Sequence, residues 1–137
     1  MPLEQAREVL APFISSADLL IPTSEEACAL TGKSTMDSAA QALVVKPDAI
    51  IVIKRGPTGC LVINRDQRID MPGFPVEEID PTGAGDCFSA AFIAGLESGW
   101  PLDKVGSFAN AAGAIAVTKM GPMEGAPTRK QVEHFNA

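Results

Sequence analysis

Between Ile79 and Leu96 the chain reads Ile-Asp-Pro-Thr-Gly-Ala-Gly-Asp-Cys-Phe-Ser-Ala-Ala-Phe-Ile-Ala-Gly-Leu, and no other stretch restricts the possible folds as strongly. Gly83 and Gly85, with the small Ala84 between them, permit a tight turn that brings bare amide N–H groups close to a ligand. Beyond them Phe88, Ala91, Phe92 and Leu96 recur at helical spacing, so the turn opens a helix. Unpaired N–H groups and the positive end of the helix dipole then fall at Gly83 to Cys87, where an anion, most naturally a phosphate, is the expected guest. Asp86 stands among these donors. A carboxylate there opposes simple anion binding, and proton handling explains it better: Asp86 accepts a hydroxyl proton while the amides stabilise a transferring phosphoryl group. The plainer alternative is an Asp that favours the dipole in the first turn of a helix after an ordinary Gly-rich turn.

Two other nucleotide motifs fail. A dinucleotide fingerprint wants Gly where Phe88 stands, and the only Gly-Lys-Ser run, Gly32-Lys33-Ser34, has Ala27 where a Walker loop needs its first Gly. With 137 residues, 46% of them hydrophobic, the chain has enough for one domain with a real core, yet is short for an enzyme that holds two substrates. Eleven basic against 17 acidic residues give a net charge of -6 with no basic run, which argues against nucleic acid and anionic membrane as partners. Cys28, Cys60 and Cys87 are odd in number and widely spaced, as expected of reduced thiols. No apolar run approaches a membrane span and the N-terminus lacks a signal peptide's basic region, so a cytoplasmic protein is expected.

Along the chain, Leu3, Ala6, Val9, Leu10 and Phe13 form a helical stripe, and Asp18 to Ile21 a short apolar strand expected to be buried on both faces. Pro22 ends it. Thr23-Ser-Glu-Glu26 has the form of a capping box opening a helix that Gly32 closes, Ser34 to Asp37 offers a second cap, and a short helix runs on through Leu43 and Val44 until Pro47. Ala49 to Ile53 reads as a second buried strand, and after the Lys54 to Gly59 turn Cys60 to Ile63 returns, as a hairpin or a bulged extension at the sheet edge. Arg68 to Met71 and Val76 to Ile79 alternate as half-exposed strands around Pro72-Gly73. Gly99-Trp-Pro101 breaks the chain before a long helix that ends near Gly121-Pro122. Its small residues, Ala109 to Ala116, suit either close packing or a face open to a flat ligand. Thr128 to Gln131 caps a last helix with Val132 and Phe135 inward, and His134, the only histidine, reads as a surface residue.

Taken as a string, Asp80-Pro-Thr-Gly-Ala-Gly-Asp86 followed by Ala90-Ala91 closely resembles the second signature of the PfkB, or ribokinase-like, family of carbohydrate kinases. The resemblance extends over residues 1–137 and matches the C-terminal part of that family. It implies an α/β, Rossmann-like three-layer α/β/α fold without the family's N-terminal sugar-binding and lid half, and an ATP-dependent sugar kinase with Mg2+ as cofactor. On this match Asp86 is the catalytic base, and Gly83, Ala84 and Gly85 are the anion hole. The segment from Ala17 to Gly32 resembles the one carrying the family's Asn-x-x-Glu motif; Glu26 matches the acid that organises magnesium, and Thr23 replaces the Asn. The Lys54 to Gly59 turn is similar to the nucleotide-side loop, which assigns Lys54, Gly56 and Gly59 to the nucleotide, unless it is simply a solvated basic turn. The Phe108 to Val117 helix resembles the one beside the adenine, with Asn110 either at the base or an ordinary surface residue. Asp80, Thr82, Ala116, Lys119 and Gly121 match positions around a monovalent cation, K+, while Pro81 and Gly125 depart from that pattern; a turn and cap at Asp80 is the alternative.

The wording Lys54-Arg55-Gly56 and the loop from Met120 to Pro127 resemble members acting on keto-sugar acids such as 2-keto-3-deoxygluconate, or on ketoses. A nucleoside kinase of the same family and a non-catalytic ATP-binding module are the competing readings. The resemblance also implies an apolar sheet edge left open, hence a homo-oligomer or a companion N-terminal segment as partner, beside the small-molecule sugar.

Overall fold

The computed structural model describes Met1 to Asn136; Ala137, the last residue of the expected domain span, lies outside the described residues. The chain divides into two compact units. One holds Met1–Arg55 and Leu61–Asp70, and the other holds Gly56–Cys60 with the chain from Met71 onward.

The first unit begins with helix α1 (Leu3–Ser16) and strand β1 (Leu19–Leu20), then helices α2 (Ser24–Thr31) and α3 (Met36–Leu43) and strand β2 (Ile50–Lys54). β1 and β2 run parallel, with Leu19 opposite Ile50 and Leu20 opposite Ile51, so α2 and α3 form the crossover that a parallel pair requires. Strands β3 (Cys60–Ile63) and β4 (Arg68–Met71) complete a sheet of order β1-β2-β3-β4. The core of this unit is aliphatic: Ala27, Ala39, Ala40, Leu43, Ile51, Ile53 and Leu61 are essentially inaccessible. Thr35, not Ser34, caps α3, its hydroxyl accepting from the Ser38 N–H at 3.3 Å. β1 is a correction: it lies at the sheet edge and both its leucines are only half-buried, because pairing on one side alone leaves one flank open. The stripe on α1 does form a helix, yet α1 buries no residue; Val9 and Phe13 are 51% and 67% exposed. α1 is held by Ile14, partly buried against the core, and by the Arg7 Nε donating to the Ala29 carbonyl at 2.6 Å.

The second unit is helical: α4 (Ala84–Glu97), α5 (Leu102–Ala116) and α6 (Arg129–Phe135). α4 and α5 pack through small residues. Gly95 lies under Val105 and Trp100, and Gly113 faces the Ala84 carbonyl and Phe88, so the helices approach closely where a bulkier side chain would separate them. Three expectations fail here. Val76 to Ile79 is not a strand; the Ile79 and Asp80 N–H groups donate to the Val117 carbonyl at 2.8 and 3.1 Å, a contact with the end of a helix instead of a ladder. α5 stops at Ala116, short of Gly121, because Val117 and Thr118 turn back on Gly113 and Ile115. Phe135 remains 38% exposed, its inner edge resting on Phe74 in a T-shaped contact.

Candidate active site

The expected site residues fall in both units. In the first, Pro22 ends β1 and Thr23 caps α2 with a complete capping box: the Glu26 N–H donates to the Thr23 hydroxyl, and the Thr23 N–H donates to Glu26 Oε2 at 2.8 Å. Glu26 Oε1 has no hydrogen bond among the described residues, so the carboxylate keeps one oxygen toward solvent. Lys54 is brought beside this cap, since Thr23 and Lys54 form a parallel bridge and the Lys54 N–H donates to the Pro22 carbonyl at 2.8 Å. The next residue, Arg55, is tied to Asp70 by two contacts of 2.6 and 3.3 Å, and this guanidinium, more than any other group, holds the Asp70 carboxyl below its ordinary value.

In the second unit the signature loop has a defined shape. Gly83 is the N-cap of α4 in the left-handed region, φ 82°, where only glycine sits without strain, and a Cβ there would stand 2.5 Å from the Pro122 carbonyl oxygen. Gly85 is different: it lies inside the helix as its second residue with negative φ, so its smallness serves access rather than turning. The Ala84 N–H bonds to the Pro81 carbonyl at 3.2 Å, whereas the N–H groups of Gly83, Gly85 and Asp86 have no partner among the described residues. Three free donors at the positive end of a 14-residue helix form a cradle suited to phosphate oxygens. Asp86 belongs to the same first turn and is exposed. Its charge, after burial, helps push the neighbouring Cys87 thiol up.

Asp80 fastens the loop. Oδ1 accepts the Thr82 N–H at 3.0 Å and Oδ2 accepts the Gly121 N–H at 2.8 Å; hydrogen bonds from the Thr82 side chain, then from the Gly121 and Thr82 N–H groups, hold its carboxyl below the ordinary range. Asp80, Thr82 and Gly121 of the expected cation position are thereby tied together, and the carbonyls of Ala116, Lys119 and Gly121 accept no hydrogen bond among the described residues. Gly125 is buried against the Ala116 carbonyl, with no room for a Cβ. Asn110 is not the surface residue that its type suggests. It is 8% exposed and its Nδ2 donates to the Pro72 carbonyl at 3.1 Å.

The nucleotide-side turn is a 3-10 segment, Gly56–Thr58, closed by Gly59 at φ 100°. Sequence reasoning missed what supports it: the backbone of Met71, Pro72 and Gly73 lies directly against Gly59, and Pro57 against Gly73. Pro72-Gly73 signals a turn, and nothing local reveals the partner. A separate cavity of about 280 Å³ lies among α4, α5 and α6, lined by Cys87, Ala90, Trp100, Phe108 and Arg129 among others. Lys104 Nζ sits 4.0 Å from the Trp100 ring centre and the Arg129 guanidinium 4.9 Å from it.

Parallel strands joined by crossover helices, with a glycine-capped helix N-terminus that keeps free N–H groups and a carboxylate in its first turn, define an α/β protein with a donor-rich turn. The chain belongs to the pfkB family of carbohydrate kinases, whose model matches residues 1–129. It is 36% identical over 130 residues to a ribokinase of Bacillus subtilis, covering 95% of this chain and 43% of that enzyme. It is 30% identical over 137 residues to fructokinase-1 of Oryza sativa, covering 94% of this chain and 42% of the relative. Among solved structures, one from E. coli described as a ribokinase II in complex with ATP and Mg2+ superimposes with a TM-score of 0.87 at 33% identity, over 97% of this chain and 43% of the other. The fold is therefore ribokinase-like, and the chain spans less than half the length of the curated relatives it matches.

Proposed function

We propose that this chain carries the nucleotide and catalytic part of an ATP-dependent kinase acting on a sugar hydroxyl, with Asp86 as base. The observation that carries the reading is the free N–H groups of Gly83, Gly85 and Asp86 at the start of α4, with the Asp86 carboxylate in the same turn. Asp86 takes the proton from the attacking hydroxyl; the oxygen bonds to the γ-phosphorus as the bond to the ADP oxygen breaks, and the N–H cradle stabilises the charge on the phosphoryl oxygens. Glu26 keeps Oε1 for magnesium or its waters, and Mg2+ when bound neutralises phosphate charge. Lys54 and the Gly56 to Gly59 turn hold the nucleotide. The unpaired carbonyls of Ala116, Lys119 and Gly121 suit a monovalent cation such as K+, which would further anchor the loop that Asp80 fastens. The substrate class follows from the Lys54-Arg55-Gly56 wording and the Gly121 to Ala126 loop, which favour 2-keto-3-deoxygluconate or a ketose.

The test is ADP release from Mg-ATP in potassium buffer over 2-keto-3-deoxygluconate, fructose, tagatose, ribose and adenosine. Sugar-dependent release should fall about 10²- to 10⁴-fold in Asp86→Ala while ATP affinity is kept. A folded chain that binds ATP and releases no ADP with any of them would leave a binding module in place of a kinase.

A further inference from the structure

We propose that the cavity among α4, α5 and α6 is a binding site for a small carboxylic acid with an apolar body, the body lying against the Trp100 and Phe108 rings and the carboxylate held by Arg129 and Lys104. The walls are apolar: Ala90 comes from α4, Phe108 and Ala112 from α5 and Val132 from α6. Trp100 and Phe108 meet edge to face with ring centres 5.2 Å apart, which gives an apolar guest a rigid aromatic surface. A volume of about 280 Å³ exceeds the roughly 150 Å³ that holds one benzene and falls at the small end of ligand pockets, so the guest is one ring or a short chain. The cavity also differs from the nucleotide position expected on α5. Asn110 follows Phe108 by two residues, about 200° further round the helix, and its amide is directed at the Pro72 carbonyl.

The charge of the guest follows from the rim. The chain as a whole is acidic, with a net charge of -6, yet two cations gather here. Arg129 lines the cavity, its guanidinium 4.9 Å from the Trp100 ring centre, and Lys104 Nζ lies 4.0 Å from the same centre. Arg129 gives its Nε to Glu133 Oε1 at 2.9 Å, which leaves its two terminal amino groups, and Lys104 forms no ion pair among the described residues. Two cations drawn to one ring repel each other, and an anion beside both relieves that repulsion. Near Cys87 the charge is reversed, since Asp86 adds to burial in raising that thiol. A carboxylate is therefore turned away from Cys87 and toward Trp100.

Trp100 is the only tryptophan, so its emission reports the site directly, and the test needs no ATP and stands apart from the kinase reading. In the full chain, octanoate below its micelle-forming concentration should change Trp100 emission to a saturating end point. It should also slow alkylation of Cys87 by iodoacetamide and leave Cys28, in the other unit, reacting as before. Octanol and octylamine, which carry the same body without the negative charge, should bind at least about threefold more weakly. Lys104→Gln and Arg129→Gln should each weaken octanoate by about two- to fivefold and leave octanol unchanged, a split that mere loosening of the fold would not produce. Ala90→Leu, at an exposed helical position that accepts leucine, should fill the space and weaken acid and alcohol alike by about tenfold, with the melting temperature kept. Octanol binding as tightly as octanoate, charge variants without effect on octanoate, or a folded Ala90→Leu chain with undiminished affinity would each overturn the proposal, as would Trp100 emission and Cys87 reactivity that octanoate leaves untouched.

Discussion

Gly83 carries two constraints at once, a left-handed φ and the Pro122 carbonyl oxygen pressed against it. Gly83→Ala therefore meets both backbone strain and a collision with backbone that has no rotamer to yield, and should lower stability by about 2–3 kcal/mol in urea unfolding. Gly85→Ala, inside the helix, should leave stability nearly unchanged or raise it, by up to about 1 kcal/mol, so the pair separates turning from access. Asp80 and Asp70 add a pH signature. Both carboxyls are held below their ordinary value in the folded chain, so the unfolded chain takes up protons first on acidification. Their contribution to stability is complete above about pH 5 and disappears as pH falls through the folded values; Asp80→Asn should flatten the acid limb of a stability–pH curve. Asn110 shows why residue type misleads: a polar side chain is usually at the surface, and nothing within its own helix announces the Pro72 carbonyl 38 positions away.

Helix ends were the most legible elements because a cap is written in four consecutive residues. Thr23 to Glu26 and Thr128 to Gln131 both form reciprocal capping boxes, and Gly32 ends α2 at φ 72°. Thr23→Ala should cost about 1 kcal/mol, read as a lower urea midpoint with unchanged slope, and should leave the Glu26 carboxylate in place, since Oε2 accepts from the backbone N–H of residue 23, which alanine keeps. Strand β2 was legible for a similar reason, a β-branched run with turn signals on both sides. The elements misread were those decided from far away. Val76 to Ile79 has the alternation of a strand but finds only the Val117 carbonyl, and α5 ends where Val117 turns, before the Gly121 that resembles a terminator. Of the candidate site, the donor turn was readable in the Asp80 to Asp86 string. The Asp80–Gly121 tie and the seat beneath Gly59 were not, since each joins segments whose spacing carries no periodic signal.

For the molecule as a whole, the exposed apolar side chains of α1 and the half-paired edge at β1 invite association. Sedimentation should find a weight-average mass that rises with concentration, and Phe13→Glu, at a position 67% exposed, should reduce that rise without lowering the melting temperature; a concentration-independent monomer would contradict it. The tie from Asp80 to Gly121 spans 41 positions. A link of that length closes only after most of the intervening chain, α4 and α5, has found its place, whereas the Thr23 cap closes within one turn. The donor turn should thus be a latecomer in time as well as a feature in space: a nascent or refolding chain is expected to display its helices before the Asp80–Gly121 tie closes. Weakening the tie should hasten opening more than it slows assembly, so a ligand that grips the turn would act as a latch on a structure already built.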